Sequence, residues 1–350
     1  MLFTSDNWGS VHPKIMDAIL SAQGGFAPAY GNDQLTEKTR KLFEDVFEHE
    51  VSVAFVPTGS AANGVALSLL TPPYGAIFCH ESAHVMIDEC GAPEFYTGGA
   101  KLIPAKGAFG KLTTDTLQDA LAPYDPPMEH RVRASALSLT QATEWGTVYT
   151  HGEIGALTDC AKRFGLGVHM DGARFAGALH ATGASPADLT WKAGVDILCL
   201  GGTKNGCLAA EAVIVFDRSR EAELMARCKR AGLGTSKQRF FSAQWGAYFA
   251  DDLWLKLAQS SAAKVRELAD LFAGVDGCSV LLEPHINELF VRMPHQSAEA
   301  LREAGAQFYD WVQPGDDYQG EARRFVTSWE ITDEQIADFG EAVASCFDRK

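Results

Sequence analysis

The 350-residue sequence has eight cysteines, but none of them forms a C-x-x-C pair. Zinc-knuckle and thioredoxin-like patterns need such pairs and are therefore excluded. Several cysteines lie inside apolar runs such as ILCL and AIFC, where cysteine behaves as a small hydrophobic residue. This usage predicts a reduced, cytoplasmic protein, and no metal site is expected.

Blocks of basic residues are also missing. The formal charge is −15, from 30 basic and 45 acidic residues. Neither nucleic acid nor an anionic membrane is therefore an expected partner. The first residues, MLFTSDNWGS, lack the charge-then-apolar order of a signal peptide. Residues 51–80 contain no Asp, Glu, Lys or Arg, but prolines and glycines interrupt them, which favours core segments over a membrane helix.

Short apolar runs alternate with helix-like runs through the middle of the chain. The run SVAFVPTG predicts a strand entering a turn, and SAANGVALSLL predicts a helix with apolar residues on one face. EIGALTDCAKRFG predicts a second helix, closed by Gly165. Further strands are predicted at GAIFCH, RASALSLT, LGVHMD, DILCLGG and AVIVF. Alternation of this kind predicts an α/β fold with a mostly parallel sheet covered on both faces.

The pattern changes after residue 246. A long helical run, DDLWLKLAQSSAAKVRELADLFAGV, is followed by an apparent strand pair in SVLLEPHINELFVRMP. A helix is predicted at SAEALREAGAQFYDW, a strand at RRFVTSW, and a terminal helix at TDEQIADFGEAVASCF with a Thr–Asp cap. We therefore expect a large domain over residues 1–246 and a small α+β domain over residues 247–350.

Lys204 follows the strand-like run in DILCLGGTKNG. A lysine at a strand end, after glycines that allow close backbone approach, can project into a crevice at the carboxyl edge of a sheet. A partly desolvated lysine can form a Schiff base. The alternative is an ordinary loop lysine with its charge in solvent.

Two further segments carry polar groups at predicted strand ends. Asp171 ends the strand in LGVHMDGARFAGAL, where a carboxylate in apolar surroundings needs a positive or protonated partner. The protonated ring nitrogen of pyridoxal phosphate is one such partner, and a helix N-cap is the alternative role. In VPTGSAANG, Thr58, Gly59 and Ser60 lead into a helix whose N–H groups suit a phosphate. A simple capping turn is the alternative there.

His84 follows a predicted strand in the segment ESAHVMIDECGAPEF. An imidazole can stack on an aromatic ring or transfer protons, although a lone histidine can also be structural. Asp88 and Glu89 are expected to be solvated or capping residues.

In their order and spacing, these four segments resemble the L-threonine aldolase family, pyridoxal-phosphate enzymes of the aspartate-aminotransferase fold type. The resemblance extends from FTSDNWGSVHP to RRFVTSW. It implies fold type I, with a seven-stranded, mostly parallel sheet flanked by helices and a small C-terminal α+β domain. It also implies pyridoxal 5′-phosphate as cofactor, L-threonine or L-allo-threonine as substrate, and glycine and acetaldehyde as products of retro-aldol cleavage.

The resemblance also assigns roles to residues of this chain. It implies that Lys204 forms the Schiff base, that Asp171 pairs with the pyridine nitrogen, and that His84 stacks on the ring. The phosphate would be held by Thr58, Gly59 and Ser60, and the substrate carboxylate by Ser5, Arg174 and Arg324. Arg324 is preferred over Arg323 because it directly precedes FVT, and Arg323 is expected at the surface.

The segment CKRAGLGTSKQRFFSAQ matches a family segment that lends a basic residue to the phosphate of the neighbouring subunit. Lys237 is the candidate here, with Arg230 as the weaker one, and a solvated charged loop is the alternative. This match implies a homo-oligomer, a dimer or tetramer, with an active site shared between subunits.

The sequence departs from the family in two places. Many members carry a histidine near the substrate hydroxyl where this chain has Thr143 and Glu144, in LTQATEWGTVY. The group that takes the β-hydroxyl proton therefore stays open. The candidates are His84 and a bound water, with help from Glu144. The lysine segment is GGTKNG instead of the commoner SLSKGLG form. A β-eliminating lyase, an aldolase for bulkier substrates such as phenylserine, and a non-catalytic pyridoxal-binding protein are the rival functions.

Overall fold

The computed structural model describes residues 1–312, 318 and 320–347. Its larger sheet has seven strands: β1 (Ser52–Val56), β2 (Gly75–His80), β3 (Lys101–Ala105), β4 (Arg133–Thr140), β5 (Gly167–Gly172), β6 (Ile197–Gly201) and β7 (Glu211–Val215). Their order is β1-β7-β6-β5-β4-β2-β3. Only β7 is antiparallel to its neighbours, and the other neighbouring pairs are parallel. The prediction of a mostly parallel sheet is therefore confirmed.

β1, β2 and β6 are buried along their length, which explains their largely apolar sequences. The edge strand β3 was not predicted. It is largely exposed and contains Pro104, whose missing N–H is tolerated at an edge.

Ten helices accompany this sheet: α1 (Pro13–Ser21), α2 (Gln34–Phe47), α3 (Gly59–Leu70), α4 (His84–Ile87), α5 (Ala92–Thr97), α6 (Thr114–Leu121), α7 (His151–Arg163), α8 (Phe175–Thr182), α9 (Glu221–Arg230) and α10 (Arg239–Phe249). The prediction of an apolar stripe on α3 was wrong. Residues 61–69 are all buried because α3 contacts the sheet as well as α5 and α9. Helix α7 ends shortly before Gly165, whose φ is +73°, so its predicted closing residue is confirmed.

The rest of the chain builds a second sheet and three helices: α11 (Leu253–Leu271), β8 (Ser279–Val280), β9 (Glu288–Arg292), α12 (His295–Glu303), β10 (Tyr309–Asp310), β11 (Ala322–Val326) and α13 (Asp333–Cys346). The strands are antiparallel in the order β10-β11-β9-β8. The helix predicted at SAEALREAGAQFYDW was correct only in its first part. Gly305, with φ of +93°, follows the end of α12, and the next apolar residues lead into β10.

The first residues of the chain pack on this smaller sheet. Phe3 is fully buried, with its ring centroid 5.0 Å from that of Phe339. The N–H of Val326 donates to the carbonyl of Phe3 at 2.8 Å, and Leu2 pairs with Gln307 in an isolated bridge. The N-terminal segment thus belongs to the hydrophobic core of the smaller sheet, while the division of the chain at residue 246 stays a prediction.

All eight cysteines are free. Among the described helices, none is long and apolar enough to cross a membrane. The described residues also contain no group of three or more His, Cys, Asp and Glu side chains arranged to hold a metal ion.

Candidate active site

A cavity of about 280 Å³ lies at the carboxyl ends of the parallel strands. The ends of β4 and β5, the turn after β6 and the first turn of α3 all contribute to its wall. This is the position where open α/β sheets bind ligands, and the volume suits a small one. It brings together seven of the predicted site residues: Thr58, Gly59, Ser60, His84, Asp171, Arg174 and Lys204.

One end of the cavity is the N-terminus of α3. Thr58 is the N-cap, and its Oγ1 accepts the N–H of Ala61 at 3.3 Å. Gly59 and Ser60 form the first turn. Thr58 therefore caps the helix, as the alternative interpretation of this segment as a capping turn predicted. The free N–H groups and the helix dipole at this end still favour an anion.

Asp171 lies at the end of β5, where only 4% of its surface is exposed. Its Oδ1 accepts the N–H of Ala173 at 3.0 Å, and its Oδ2 accepts Nδ2 of Asn63 at 2.8 Å. No basic side chain of the described residues forms an ion pair with it. Its role as an N-cap was wrong, because Arg174 is the N-cap residue of α8. A buried carboxylate held only by neutral donors fits a protonated ring nitrogen.

Lys204 is half-buried in a short 3₁₀ helix after β6 and lines the cavity. Its ammonium group has no hydrogen-bond or ion-pair partner in the described part of the chain. The glycines before it permit close packing, since a Cβ at Gly201 would lie 2.9 Å from the Cα of Ala173. Nδ2 of the next residue, Asn205, donates to Oη of Tyr248 at 2.7 Å and fixes the turn. The lysine thus faces the cavity, where its amine can bond covalently to a bound carbonyl compound.

His84 is part of a buried hydrogen-bond network. Its Nδ1 lies 2.9 Å from Oε1 of Glu89, and the same oxygen accepts Nδ2 of Asn63 at 2.8 Å. Because Asn63 also donates to Asp171, one amide connects both predicted ring-contacting residues. The hydrogen bond that His84 donates to Glu89 raises the pKa of His84. The expectation of a solvated Glu89 was wrong, because its side chain is fully buried, whereas Asp88 is exposed as expected.

Glu144 brings another carboxylate to the cavity. Its Oε1 accepts the backbone N–H of His84 at 2.6 Å, while its Oε2 is buried without a hydrogen-bond partner. Burial raises the pKa of Glu144 to about 7. Oγ1 of the neighbouring Thr143 lies 2.8 Å from that of Thr147, within its own turn. Of the two residues that replace the family histidine, only Glu144 lines the cavity.

Glu211, at the start of β7, is a further carboxylate in the cavity wall, besides Asp171, Glu89 and Glu144, and was not predicted. Its Oε1 accepts Oγ1 of Thr203 at 2.6 Å. Burial raises the pKa of Glu211 to about 7, although this hydrogen bond and the charge of Lys204 oppose the rise.

The two arginines predicted to bind a substrate carboxylate are linked by carboxylates of the chain itself. Arg174 donates from Nε and Nη2 to Asp6 at 2.7 and 3.1 Å. Oε1 of Glu288 lies 3.4 Å from Nη2 of Arg174 and 3.9 Å from Nη1 of Arg324. The structure therefore brings Arg324 close to Arg174, although Arg324 is not among the residues that line the cavity.

Aromatic rings and the N-terminal segment complete the surroundings of Arg324. Its guanidinium carbon lies 4.6 Å from the centroid of Trp311, and its Nη2 lies 3.4 Å from the carbonyl of Thr4. Ser5 caps the short helix Asp6–Trp8 through an N–H of Asn7 at 3.2 Å. Ser5 does not line the cavity, but both its neighbours along the chain contact the predicted arginines.

Arg323 was wrongly expected at the surface. Its side chain is completely buried, Nε lies 3.0 Å from Oδ1 of Asp310, and Nη1 donates to the carbonyl of Ala322 at 2.9 Å. Alternation along β11 points Arg323 and Arg324 to opposite faces of the smaller sheet. This geometry agrees with the choice of Arg324, and not Arg323, as the arginine on the side of the cavity.

Lys237 and Arg230 do not reach the cavity of their own chain. Lys237 borders a separate cavity of about 360 Å³, beside the loop that carries Phe26. Arg230 is exposed at the end of α9. Their contribution to a partner subunit stays a prediction.

Sequence reasoning missed four residues of the site: Asp6, Asn63, Glu211 and Glu288. Glu211 and Glu288 each interrupt an apolar strand sequence, in AAEAVIVF and INELFVRM. That is the same signal that identified Asp171. Asp6 directly follows the predicted Ser5, whereas nothing in the sequence around Asn63 distinguishes it from other buried amides.

Comparison with known proteins gives consistent results. The family model described as beta-eliminating lyase matches residues 3–296. A low specificity L-threonine aldolase from Pseudomonas aeruginosa is 41% identical over 337 residues, which are 96% of this chain and 95% of that protein.

Solved structures agree with the sequence matches. The threonine aldolase of Leishmania major is 26% identical, with a TM-score of 0.89 over 98% of both chains. An aspartate aminotransferase from Rhodobacter sphaeroides shares the fold, with a TM-score of 0.71 at 16% identity, over 99% of this chain and 91% of that one.

Proposed function

Because the chain belongs to the beta-eliminating lyase family, among its L-threonine aldolases, we propose that it is a lyase that cleaves L-threonine and L-allo-threonine to glycine and acetaldehyde. The proposal rests on one observation: Lys204, Asp171, His84 and the N-terminus of α3 line the same cavity. The 41% identity to a low specificity L-threonine aldolase supports the same substrate class.

The residues of the cavity fit pyridoxal 5′-phosphate. Lys204 would hold the cofactor covalently, Asp171 would accept its ring N–H, and Thr58, Gly59 and Ser60 would hold its phosphate at the start of α3. His84, fixed by Glu89, would pack against the ring. The bound cofactor supplies an electron sink for the bond that breaks at the substrate α-carbon.

Arg174 and Arg324 would orient the substrate through its α-carboxylate. A planar guanidinium binds a carboxylate through two parallel hydrogen bonds and so fixes its direction. Arg174 lines the cavity and is held by Asp6 through its Nε and Nη2. A fixed carboxylate determines which substituent of the α-carbon is aligned for cleavage.

Glu144 is our preferred group for the β-hydroxyl proton. Its Oε2 has no hydrogen-bond partner, and its pKa of about 7 lets it accept a proton near neutral pH and return it. His84 is the second candidate, and a water between the two is the third. The raised pKa of His84 favours the charged imidazolium, which is a poor base.

We further propose a homo-oligomer, dimeric or tetrameric, in a reduced cytoplasmic setting, with Lys237 reaching the phosphate of a neighbouring subunit. Phe26 is fully exposed beside Lys237, and Tyr30 and Leu20 are more than half exposed nearby in the sequence. Large exposed apolar side chains grouped in one region favour coverage by a partner. The eight free thiols support the reduced compartment.

Product analysis tests the proposed reaction. Purified protein loaded with pyridoxal 5′-phosphate is given L-threonine, L-allo-threonine and L-phenylserine separately. Glycine with the matching aldehyde establishes the aldolase, and the relative rates give the preferred side chain. Ammonia with a keto acid would identify a β-eliminating lyase instead. Lys204→Ala is the control variant, and full cleavage by this variant would refute the role of Lys204.

A protein that merely binds pyridoxal phosphate is the rival from another class. It would take up the cofactor and release neither glycine nor ammonia from any of the three substrates. The raised pKa of Glu144, in the same cavity wall as Lys204, argues for catalysis, because perturbed acids cluster at reactive sites.

A further inference from the structure

Glu288 lies behind the two arginines and has no hydrogen-bond partner for either carboxylate oxygen. Its side chain is completely buried on β9. Oε1 is 3.4 Å from Nη2 of Arg174 and 3.9 Å from Nη1 of Arg324. A buried carboxylate that bridges two guanidinium groups without a hydrogen bond is poorly stabilised as an anion.

We propose that Glu288 is a positioning residue that takes up a proton when a substrate carboxylate binds to Arg174 and Arg324. While Glu288 is ionised, it neutralises the guanidinium groups and competes with an incoming carboxylate for them. Once protonated, it no longer competes for either guanidinium group, while Asp6 still pairs with Arg174. The proposal rests on the proposed function at one point, the role of these arginines in carboxylate binding.

Glu288 is the carboxylate in this cluster that is suited to accept the proton. The charged groups that face it are Arg174, Arg324, Asp6 and Lys204. Burial raises the pKa of Glu288 despite the positive charges. Burial would also raise the pKa of Asp6, but Arg174, Lys204 and a hydrogen bond from Asn287 lower it overall. Asp6 therefore remains ionised, and Glu288 responds to the added negative charge.

Packing prevents Glu288 from moving away instead. The turn after Glu144 covers it, and a Cβ added at Gly146 would lie 3.1 Å from the Cβ of Glu288. Glu288 pairs with Val326 in the register of β9 and β11, which fixes its backbone. A carboxylate that cannot leave a crowded site relieves repulsion by protonation.

The test compares glycine with ethylamine on the holoenzyme. Both react through an amine, but only glycine carries a carboxylate, and both amines are mostly protonated over pH 6–8.5, so their ratio isolates the carboxylate site. Dissociation constants are measured from the absorbance of the bound cofactor in the wild type and in Glu288→Gln. A glutamine keeps the shape of the side chain but cannot ionise.

In the wild type, we expect the preference for glycine over ethylamine to fall about tenfold per pH unit above the titration of Glu288. In Glu288→Gln, we expect the preference to be at least as large as in the acidic wild type and to lose the part of the pH dependence that Glu288 causes. The weaker pH dependence from Glu144 and Glu211, whose pKa values are about 7, should remain in both proteins. Glu283→Gln, at an exposed carboxylate shortly before β9, removes a charge outside the site and should keep the pH dependence.

Three results would overturn the proposal. The wild-type preference could be constant with pH, the glutamine variant could keep the wild-type slope, or it could bind glycine more weakly at every pH while binding ethylamine normally. If ethylamine changes the cofactor absorbance and glycine does not, the carboxylate role of the arginines fails together with this proposal. If the holoenzyme prefers glycine to ethylamine by the same factor at every pH, only the proposed role of Glu288 is rejected. Glu288→Met, of similar size, tests the same loss of pH dependence if the glutamine variant does not fold.

Discussion

His84 and Glu89 form a 2.9 Å pair between an imidazole at the cavity wall and a fully buried carboxylate. Asn63 holds the other side of Glu89 Oε1 and also donates to Asp171. The amide of Asn63 thus positions Asp171 directly and His84 through Glu89. These are the residues that would pair with the cofactor nitrogen and pack on its ring.

Glu89→Gln should lower the pKa of His84, because the hydrogen bond to the Glu89 carboxylate is the main reason that this pKa is raised. The imidazolium fraction at pH 7 then falls, and the titration midpoint moves to lower pH. NMR of the His84 ring proton in the cofactor-free chain measures this midpoint. Asp88→Asn, one residue earlier and exposed, is the matched control. Identical midpoints in wild type and Glu89→Gln would show that the pair carries no charge.

Glu144→Gln should reduce kcat by about 10²–10⁴-fold if the carboxylate accepts the β-hydroxyl proton. A base must be ionised, and burial raises the pKa of Glu144 to about 7. The wild-type rate should therefore rise with pH through about 7, and the variant should lose this acid limb. Steady-state kinetics across pH measure both effects. Glu153→Gln, in the first turn of α7 and outside the cavity lining, should leave both unchanged. Retention of the acid limb in Glu144→Gln would return the role to His84 or water.

Glu211→Gln should strengthen phosphate binding at alkaline pH. Burial raises the pKa of Glu211 to about 7, so the wild type gains a negative charge in the cavity wall as pH rises. Pyridoxine 5′-phosphate is the appropriate probe, because it has the phosphate and lacks the aldehyde that reacts with lysine. Its dissociation constant should rise by up to about tenfold between pH 6 and 8 in the wild type and less in the variant. If the dissociation constant depends on pH equally in both proteins, the charge of Glu211 does not affect phosphate binding.

Phe3→Ala should lower the free energy of unfolding by about 3–5 kcal/mol, because the side chain is fully buried among aromatic residues of the smaller sheet. Leu2→Ala, at a side chain that is 47% exposed, should cost less than about 1 kcal/mol. Urea unfolding followed by fluorescence compares the two. Similar losses for both substitutions would mean that the N-terminal segment is not part of the cooperative core.

The strands were the most predictable part of the fold. A strand buried on both faces favours a mostly apolar sequence, and β1, β2, β6 and β7 have nearly continuous apolar runs. β4 interrupts its apolar residues with serines, and β5 with His169 and Asp171. β3 lacks this pattern because it is an exposed edge strand with a proline. The two-residue strands β8 and β10 are too short to produce a period.

The site was predictable where its residues directly follow strands, as Asp171 and Lys204 do. Glu89 illustrates the limit, because its burial depends on Asn63 and His84 of other segments and not on its own neighbours in sequence. Arg323 illustrates a second limit. Two adjacent arginines look like a surface pair, and only the presence of Asp310 beside β11 explains why one of them is buried.

During synthesis, the N-terminal segment is made long before the residues against which it packs. Asp6 can engage Arg174 once the larger sheet has formed, but Phe3 must wait for Val326 and Phe339, which are synthesised more than 300 residues later. Until then, an apolar segment that leads into the active site remains without its core. Arg324, which we propose binds the substrate carboxylate together with Arg174, is also synthesised late, on β11. A chain truncated before β11 should therefore lack an assembled site.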